Sequence, residues 1–282
     1  MFIGSVKVLL VGAAVFIPFE RLASLHPAQQ TFRRGWATDV FTWLMNGLLL
    51  YAVLLIVLGG IDAAAAACAP QLRHWVETGP LWAQCVLALS LGDQGVYGIH
   101  RLQHRLPWLW RFHAVHHSAE EMDWLVALRF HPVDLFLLRV ASLGPLVAIH
   151  VTPAAIGLFI AVFAWQGWLV HANVRVPYGP LRWLLVSPEF HHWHHGVERE
   201  AHNRNYASLV AFWDVLFGTV HLPHGRQPLR YGIDERMPAG FVERFFHPFR
   251  RRAGAAAVGR SSPNSLGRFG RYLLASWIRV EN

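Results

Sequence analysis

Cysteine is almost missing from this chain: two in 282 residues, Cys68 and Cys85, and no C-x-x-C pair. Neither a disulfide framework nor a thiolate metal site can be assembled from them. Charge is scarce as well. Asp, Glu, Lys and Arg supply 15% of the residues, where a soluble domain carries about 25%, and 54% are hydrophobic. That balance excludes an ordinary soluble domain and points to a membrane. The net charge of +8 does not point to nucleic acid, because the basic residues line no polar, soluble surface. Also missing are a G-x-G-x-x-G after a strand, an H-P-G-G haem signature and any 20–50-residue repeat. No A-x-A cleavage pattern follows the first apolar stretch, and Lys7 lies within it, so it reads as a retained anchor and not a signal peptide.

Long apolar runs are plentiful. Five are near the roughly 20 residues that a bilayer core requires: Phe2–Phe19, Val40–Gly60, Leu81–Ile99, Val133–His150 and Ala154–His171. Lys and Arg alternate across the connections. There are three in 20–39, one in 61–80, four in 100–132, none in 151–153 and fifteen from 172 onward. By the positive-inside rule, the C-terminus and every histidine cluster then lie on the cytosolic side. Arg139, inside the fourth run, is expected to snorkel or to hydrogen-bond inward. Residues 250–271, with Arg250, Arg251 and Arg252, read as a flexible basic segment, and Tyr272–Val280 as an interfacial helix or a disordered end. The expected fold is all-α: an integral membrane bundle of about four or five spanning helices under a cytosolic, histidine-rich helical cap that holds a dimetal site. Its expected divisions are membrane anchors at 1–80, a catalytic domain at 81–225 and a basic tail at 226–282.

Histidine is the residue in excess. Of eighteen, eight fall into three compact patterns. These are His100 with His104; His113, His116 and His117; and His191, His194 and His195. Residues four apart on a helix differ by about 40° and residues three apart by about 60°, so each set shares one face. His192 lies about 100° off His191 and is left out. Eight nitrogens exceed what one metal uses, so two ions with about four each fit the count. Neutral imidazoles suit iron, zinc, copper or nickel. His171, at the end of the fifth run, reaches the same depth and is a ninth candidate ligand. His131, in Arg129-Phe-His131-Pro132, suits capping of the next helix or packing on the substrate side better than ligation. Asp93 and Tyr97 extend the stripe of His100 and His104 backward. Asp93 is placed to accept the second N–H of a ligating imidazole or to bridge helices.

These residues resemble the fatty acid hydroxylase and sterol desaturase superfamily of membrane di-iron enzymes over roughly residues 85–220. The resemblance runs through Asp93-x-x-x-Tyr97-x-x-His100-Arg101-x-x-His104 and Leu109-Trp110-Arg111-Phe112-His113-Ala-Val-His116-His117. It continues through Arg129-Phe-His131-Pro132, His171-Ala-Asn173, Ser187-Pro188-Glu189-Phe190-His191-x-x-His194-His195, Asn205-Tyr206 and Trp213-Asp214-x-x-Phe217-Gly218-Thr219. Ala207 departs from the glycine that the family tends to place after the tyrosine. The resemblance implies that the three boxes, joined by His171, bind two iron ions. With O₂, these would hydroxylate or desaturate a C–H bond of a membrane lipid, whether sterol, fatty acyl, ether lipid or other isoprenoid. It also implies electrons from a separate donor, such as a ferredoxin or a cytochrome b5-type protein with its reductase. Arg199, Arg204 and the Arg250–Arg252 run are candidate docking residues for that donor, and zinc can replace iron in purified protein. A zinc metalloprotease is a poor match, since Arg, Leu and Gln separate His100 from His104 where H-E-x-x-H would be needed. A non-enzymatic zinc-binding membrane protein or a metal transporter is the alternative that stays open. The expected location is the inner or cell membrane; substrate, hydroxylation against desaturation, donor identity, the roles of His131 and the C-terminal tail, and oligomeric state are beyond the sequence.

Overall fold

The computed structural model describes residues 2–250; side chains are described from residue 6, and Arg251, Arg252 and the stretch at 272–280 fall outside it. Ten α-helices form in this range: α1 Phe2–Leu22, α2 Trp36–Cys68, α3 Pro70–Thr78, α4 Leu81–Arg105, α5 Pro107–His117, α6 Pro132–Ala148, α7 Pro153–His171, α8 Pro188–His194, α9 Phe212–Leu216 and α10 Phe241–Phe246. Short 3₁₀ turns occupy Trp124–Leu128, Gly179–Trp183 and His247–Phe249. Among the described residues no strand forms, only isolated bridges such as Leu185 with Val210. Proline opens α3, α5, α6, α7 and α8. There its fixed φ suits a helix and its missing N–H costs no bond.

All five apolar runs are helical, and two helices, α2 and α7, are long and apolar enough to cross a membrane. At 33 residues α2 is about 50 Å long, well beyond a hydrocarbon core of about 30 Å. It runs eight residues past its expected end at Gly60, because the Ala63–Ala67 run favours helix until Pro70 restricts Ala69. Its two halves differ in surroundings. Asp39, Thr42 and Asn46 are buried, whereas Leu48, Leu49, Leu55 and Ile56 are exposed. A long apolar face open on one side is one that a bilayer or a partner covers.

The centre of the bundle is α4 against α6, with α2 on the other side of α6 and α7 beside α4. Glycine lets α4 approach this closely. A Cβ on Gly95 would run into the Ala141 carbonyl, and one on Gly92 into the Phe159 ring. Residues up to Pro248 make one compact unit. The segment 226–248, expected in a basic tail, is therefore part of the body. Tyr231 reaches His192 and His26, and Arg244 on α10 reaches Asp39 on α2. Arg139 places its guanidinium 5.9 Å from the Phe163 ring centre.

Candidate metal centre

The histidines stand on four helices that end at one place. His100 and His104 lie on the last turns of α4; His113, His116 and His117 on α5; His171 at the end of α7; and His191 and His194 on α8, with His195 as its C-cap. They gather into two groups: His100, His104, His113, His117 and His194, and then His116, His171, His191 and His195. Within each group the nitrogens facing one another lie within 4.8 Å. The boxes do not map one to each group. Both α5 and the α8 box divide between the two, His116 parting from His113 and His117, and His194 from His191 and His195.

Nitrogen spacing tests whether an ion fits. Nε2 atoms are 3.1 Å apart between His100 and His113 and between His117 and His113. In the second group they are 3.2 Å apart for His171 and His116, 2.9 Å for His191 and His171, and 3.2 Å for His195 and His191. Two ligands on one ion, with metal–nitrogen bonds of about 2.0–2.1 Å, stand roughly 2.8–3.4 Å apart at right-angled or tetrahedral corners. The match is close. Nε2 of His104 and of His194 are buried without a hydrogen-bond partner, as expected of a lone pair kept for a cation.

Five of the outer nitrogens are held, while Nδ1 of His191 and of His195 is buried without a partner. Nδ1–H of His100 donates to the Tyr206 carbonyl at 2.7 Å, that of His116 to the Arg129 carbonyl at 3.2 Å, that of His171 to the Gly167 carbonyl at 2.6 Å and that of His194 to the Arg204 carbonyl at 2.7 Å. His113 donates to the Asp134 carboxylate at 3.1 Å. A donor on Nδ1 fixes the tautomer that leaves Nε2 free as a ligand. Burial, then the neighbouring imidazoles, hold His116, His117, His191 and His195 well below the usual histidine range. Burial pulls His194 down to about 3. All five are neutral at physiological pH, the state that binds a metal.

Asp93 does not accept from an imidazole, and this corrects the first of the two expected contacts. Its oxygens accept backbone N–H bonds from Ser208 at 3.3 Å, Leu209 at 2.9 Å and Val210 at 3.0 Å. It thereby fixes the strand-like loop just after Tyr206, whose carbonyl holds His100. Tyr97 likewise touches no ligating histidine. Its hydroxyl pairs with Thr219 Oγ1 at 3.1 Å and accepts from Arg101 at 3.2 Å. The carboxylate that does reach an imidazole is Asp134 on α6, which also accepts from Gln103. His192 turns away: Nε2–H donates to the Ala172 carbonyl and Nδ1 accepts from the Tyr231 hydroxyl, both at 3.1 Å. His131 caps α6, its Nδ1 accepting from Val133 N–H at 3.1 Å while Nε2–H donates to the Phe245 carbonyl.

Asn205 and Asp214 lock the far wall. Asn205, at φ 58°, donates to the carbonyls of Phe190 and His221, and asparagine tolerates that left-handed backbone. Asp214 accepts from the backbone N–H of Tyr206 and Ala207. Aromatic rings close the remaining sides, with Phe130 stacked 4.3 Å from His116, Trp110 5.1 Å from His104 and Tyr206 5.3 Å from His104.

Comparison with known proteins agrees with this geometry. Residues 85–219 match the fatty acid hydroxylase family. The chain is 34% identical over 270 residues to the ornithine lipid hydroxylase OlsE of Rhizobium tropici, covering 90% of this chain and 78% of that protein. It is 32% identical over 128 residues to alkylglycerol monooxygenase of Homo sapiens, covering 45% of this chain and 28% of that protein. Against cholesterol 25-hydroxylase of Rattus norvegicus it is 26% identical over 185 residues, covering 64% of this chain and 62% of that protein. No solved structure matches the chain.

Proposed function

From the premise that the chain belongs to the fatty acid hydroxylase family, we propose that it is a membrane oxidoreductase that uses O₂ and externally supplied electrons to hydroxylate a C–H bond of a lipid. One observation carries the reading: nine imidazoles, eight of them buried and His104 half-buried, in groups of five and four, turn Nε2 inward at the spacing of ligands on two ions. Five of the nine donate Nδ1–H to a fixed oxygen. The all-nitrogen donor set suits iron, and two iron ions bound there would supply the oxidising power that ordinary acid–base side chains lack. His100, His104, His113, His117 and His194 would hold one, and His116, His171, His191 and His195 the other.

The protein's own share is orientation and exclusion of water. Asp134 and four backbone carbonyls hold imidazoles at fixed angles, so little reorganisation is needed when an ion binds. Phe130, Trp110 and Tyr206 keep bulk water from the nitrogens. Asp93 and Tyr97 act one step further out, through the backbone at 208–210 and through Thr219. The open apolar face of α2 suits contact with lipid. The Lys and Arg distribution supports a cytosolic histidine centre under four or five spans, which a soluble electron donor could reach. Arg199 is one docking candidate; Arg204 is engaged with the Gly218 carbonyl at 2.8 Å. The named relatives are hydroxylases and a monooxygenase, which removes the ground for a zinc scaffold or a transporter.

The test is reconstitution with iron in detergent or nanodiscs, followed by a reduced ferredoxin or cytochrome donor and a lipid extract. Oxygen uptake, with lipid products heavier by one oxygen atom in mass spectra, is the expected result. Iron-loaded protein that consumes no O₂ with any reduced donor and lipid would refute it. Zinc in the protein as isolated decides nothing, because zinc outcompetes iron(II) at nitrogen sites.

A further inference from the structure

Beside the metal centre lies a second polar assembly. Asp39, on the first turn of α2, is fully buried and accepts from three guanidiniums. Its Oδ1 takes Arg129 Nε at 2.8 Å and Arg244 Nη1 at 3.0 Å, and its Oδ2 takes Arg33 Nη2 at 2.7 Å and Arg129 Nη2 at 3.0 Å. Arg33 also pairs with Asp123 at 2.9 Å. Three buried cations thus meet two buried carboxylates. Glu20, the nearby third carboxylate, is occupied by the backbone N–H groups of Trp124 and Asn173. Guanidiniums held in this way can also take an anionic partner from outside.

The space for that partner is present. A cavity of about 390 Å³ opens against this cluster, walled by Arg129, Arg244 and the start of α2 from Gly35 to Thr38. Gly35 has φ +86°, and a Cβ there would stand 3.4 Å from Nη2 of both Arg129 and Arg244. No side chain caps α2. Its first N–H groups and its positive dipole end therefore add to the guanidiniums on the same wall. The rim carries both signs: Arg34 and Arg236 on one hand, Glu120, Glu121 and Glu235 on the other, the last paired with His247 at 3.4 Å. Among the described residues neither Arg34 nor Arg236 has an ion pair.

The cavity adjoins the metal centre through single residues. Ser118, in its wall, follows the ligand His117, and Arg129 lends its carbonyl to His116 Nδ1–H. We infer that this cavity seats the zwitterionic head of the lipid substrate, an acidic carboxylate or phosphate against the guanidiniums and an ammonium against Glu120 and Glu121. The inference rests on the lipid oxidase reading for the identity of the bound molecule as substrate, but binding can be measured without turnover. It places the polar head of the lipid, and not the far end of its tail, beside the imidazoles.

The experiment uses full-length metal-loaded protein in detergent micelles and native mass spectrometry. The probes are an N-acyl lysine lipid, phosphatidylethanolamine, diacylglycerol and inorganic phosphate. One or both zwitterions should bind about tenfold or more tighter than diacylglycerol, the difference that one charge-assisted hydrogen bond supplies. Which of the two binds better assigns the acid as carboxylate or phosphate. The double substitution Arg34→Glu and Arg236→Glu should remove that preference while metal content stays at the wild-type level. Equal binding of diacylglycerol, an unaffected double variant, or inorganic phosphate binding as tightly as the lipids would each overturn the inference. Zwitterion binding that depends on Arg34 and Arg236, without O₂ uptake, would sink the oxidase reading alone. Oxidation of uncharged lipid with no zwitterion preference would sink the head-group site alone.

Discussion

Two buried polar clusters share Arg129, and they solve the same problem in opposite ways. Around Asp39, oppositely charged side chains saturate the carboxylate with four short bonds. Around the histidines, nine side chains of one kind turn the same atom toward each other and find no anion or donor there. The first cluster is largely complete with protein atoms. The second is complete only when cations arrive. Burial of polar groups by itself therefore says little about function; what separates a strut from a site is whether the protein supplies the partners.

Substitutions sharpen that difference. His194→Ala removes a ligand from the group of five and should abolish tight metal binding there, halving the metal found by elemental analysis. Two metals per chain retained in that variant would break the division into groups. Asp39→Asn should leave metal stoichiometry in the surviving folded fraction unchanged but destabilise the fold by about 3–5 kcal/mol, because three buried guanidiniums lose their carboxylate. Thermal unfolding in detergent measures it, and an unshifted midpoint would show that the cluster is not structural. Asp134→Asn keeps the shape but weakens the acceptor for His113 Nδ1–H. It should cost about 10–100-fold in metal affinity, read by competition with a chelator. His192→Ala should have the smallest effect on metal, leaving both ions in place, since the imidazole faces Tyr231 and Ala172. Equal metal loss in His192→Ala and His194→Ala would defeat the argument from helix faces.

What could be read from the sequence is what a helix repeats locally. The i, i+3, i+4 histidines of α5 and α8 and the outward turn of His192 follow from the helical angle alone. The same reasoning put Asp93 on the right stripe with the wrong partner, because the three N–H groups it accepts from lie more than a hundred residues on. Asp134 was missed for a related reason. It meets His113 only because α6 lies against α4 and α5, a packing that the close approach at Gly95 permits. The carbonyls of Tyr206, Arg129, Gly167 and Arg204 leave no mark on side-chain identity. Arg244, 205 positions from Asp39, sat in a stretch whose composition suggested a solvated tail.

Because α5 and the α8 box each contribute to both groups, each ion helps to order the ligands of the other. The first to arrive freezes the rotation of both short helices and so prepays the ordering that the second would otherwise require. Uptake is then cooperative. A titration with iron should pass from empty to doubly loaded chains with few singly loaded ones between, so a cell short of iron would hold a smaller number of competent molecules and not a large number of half-filled ones.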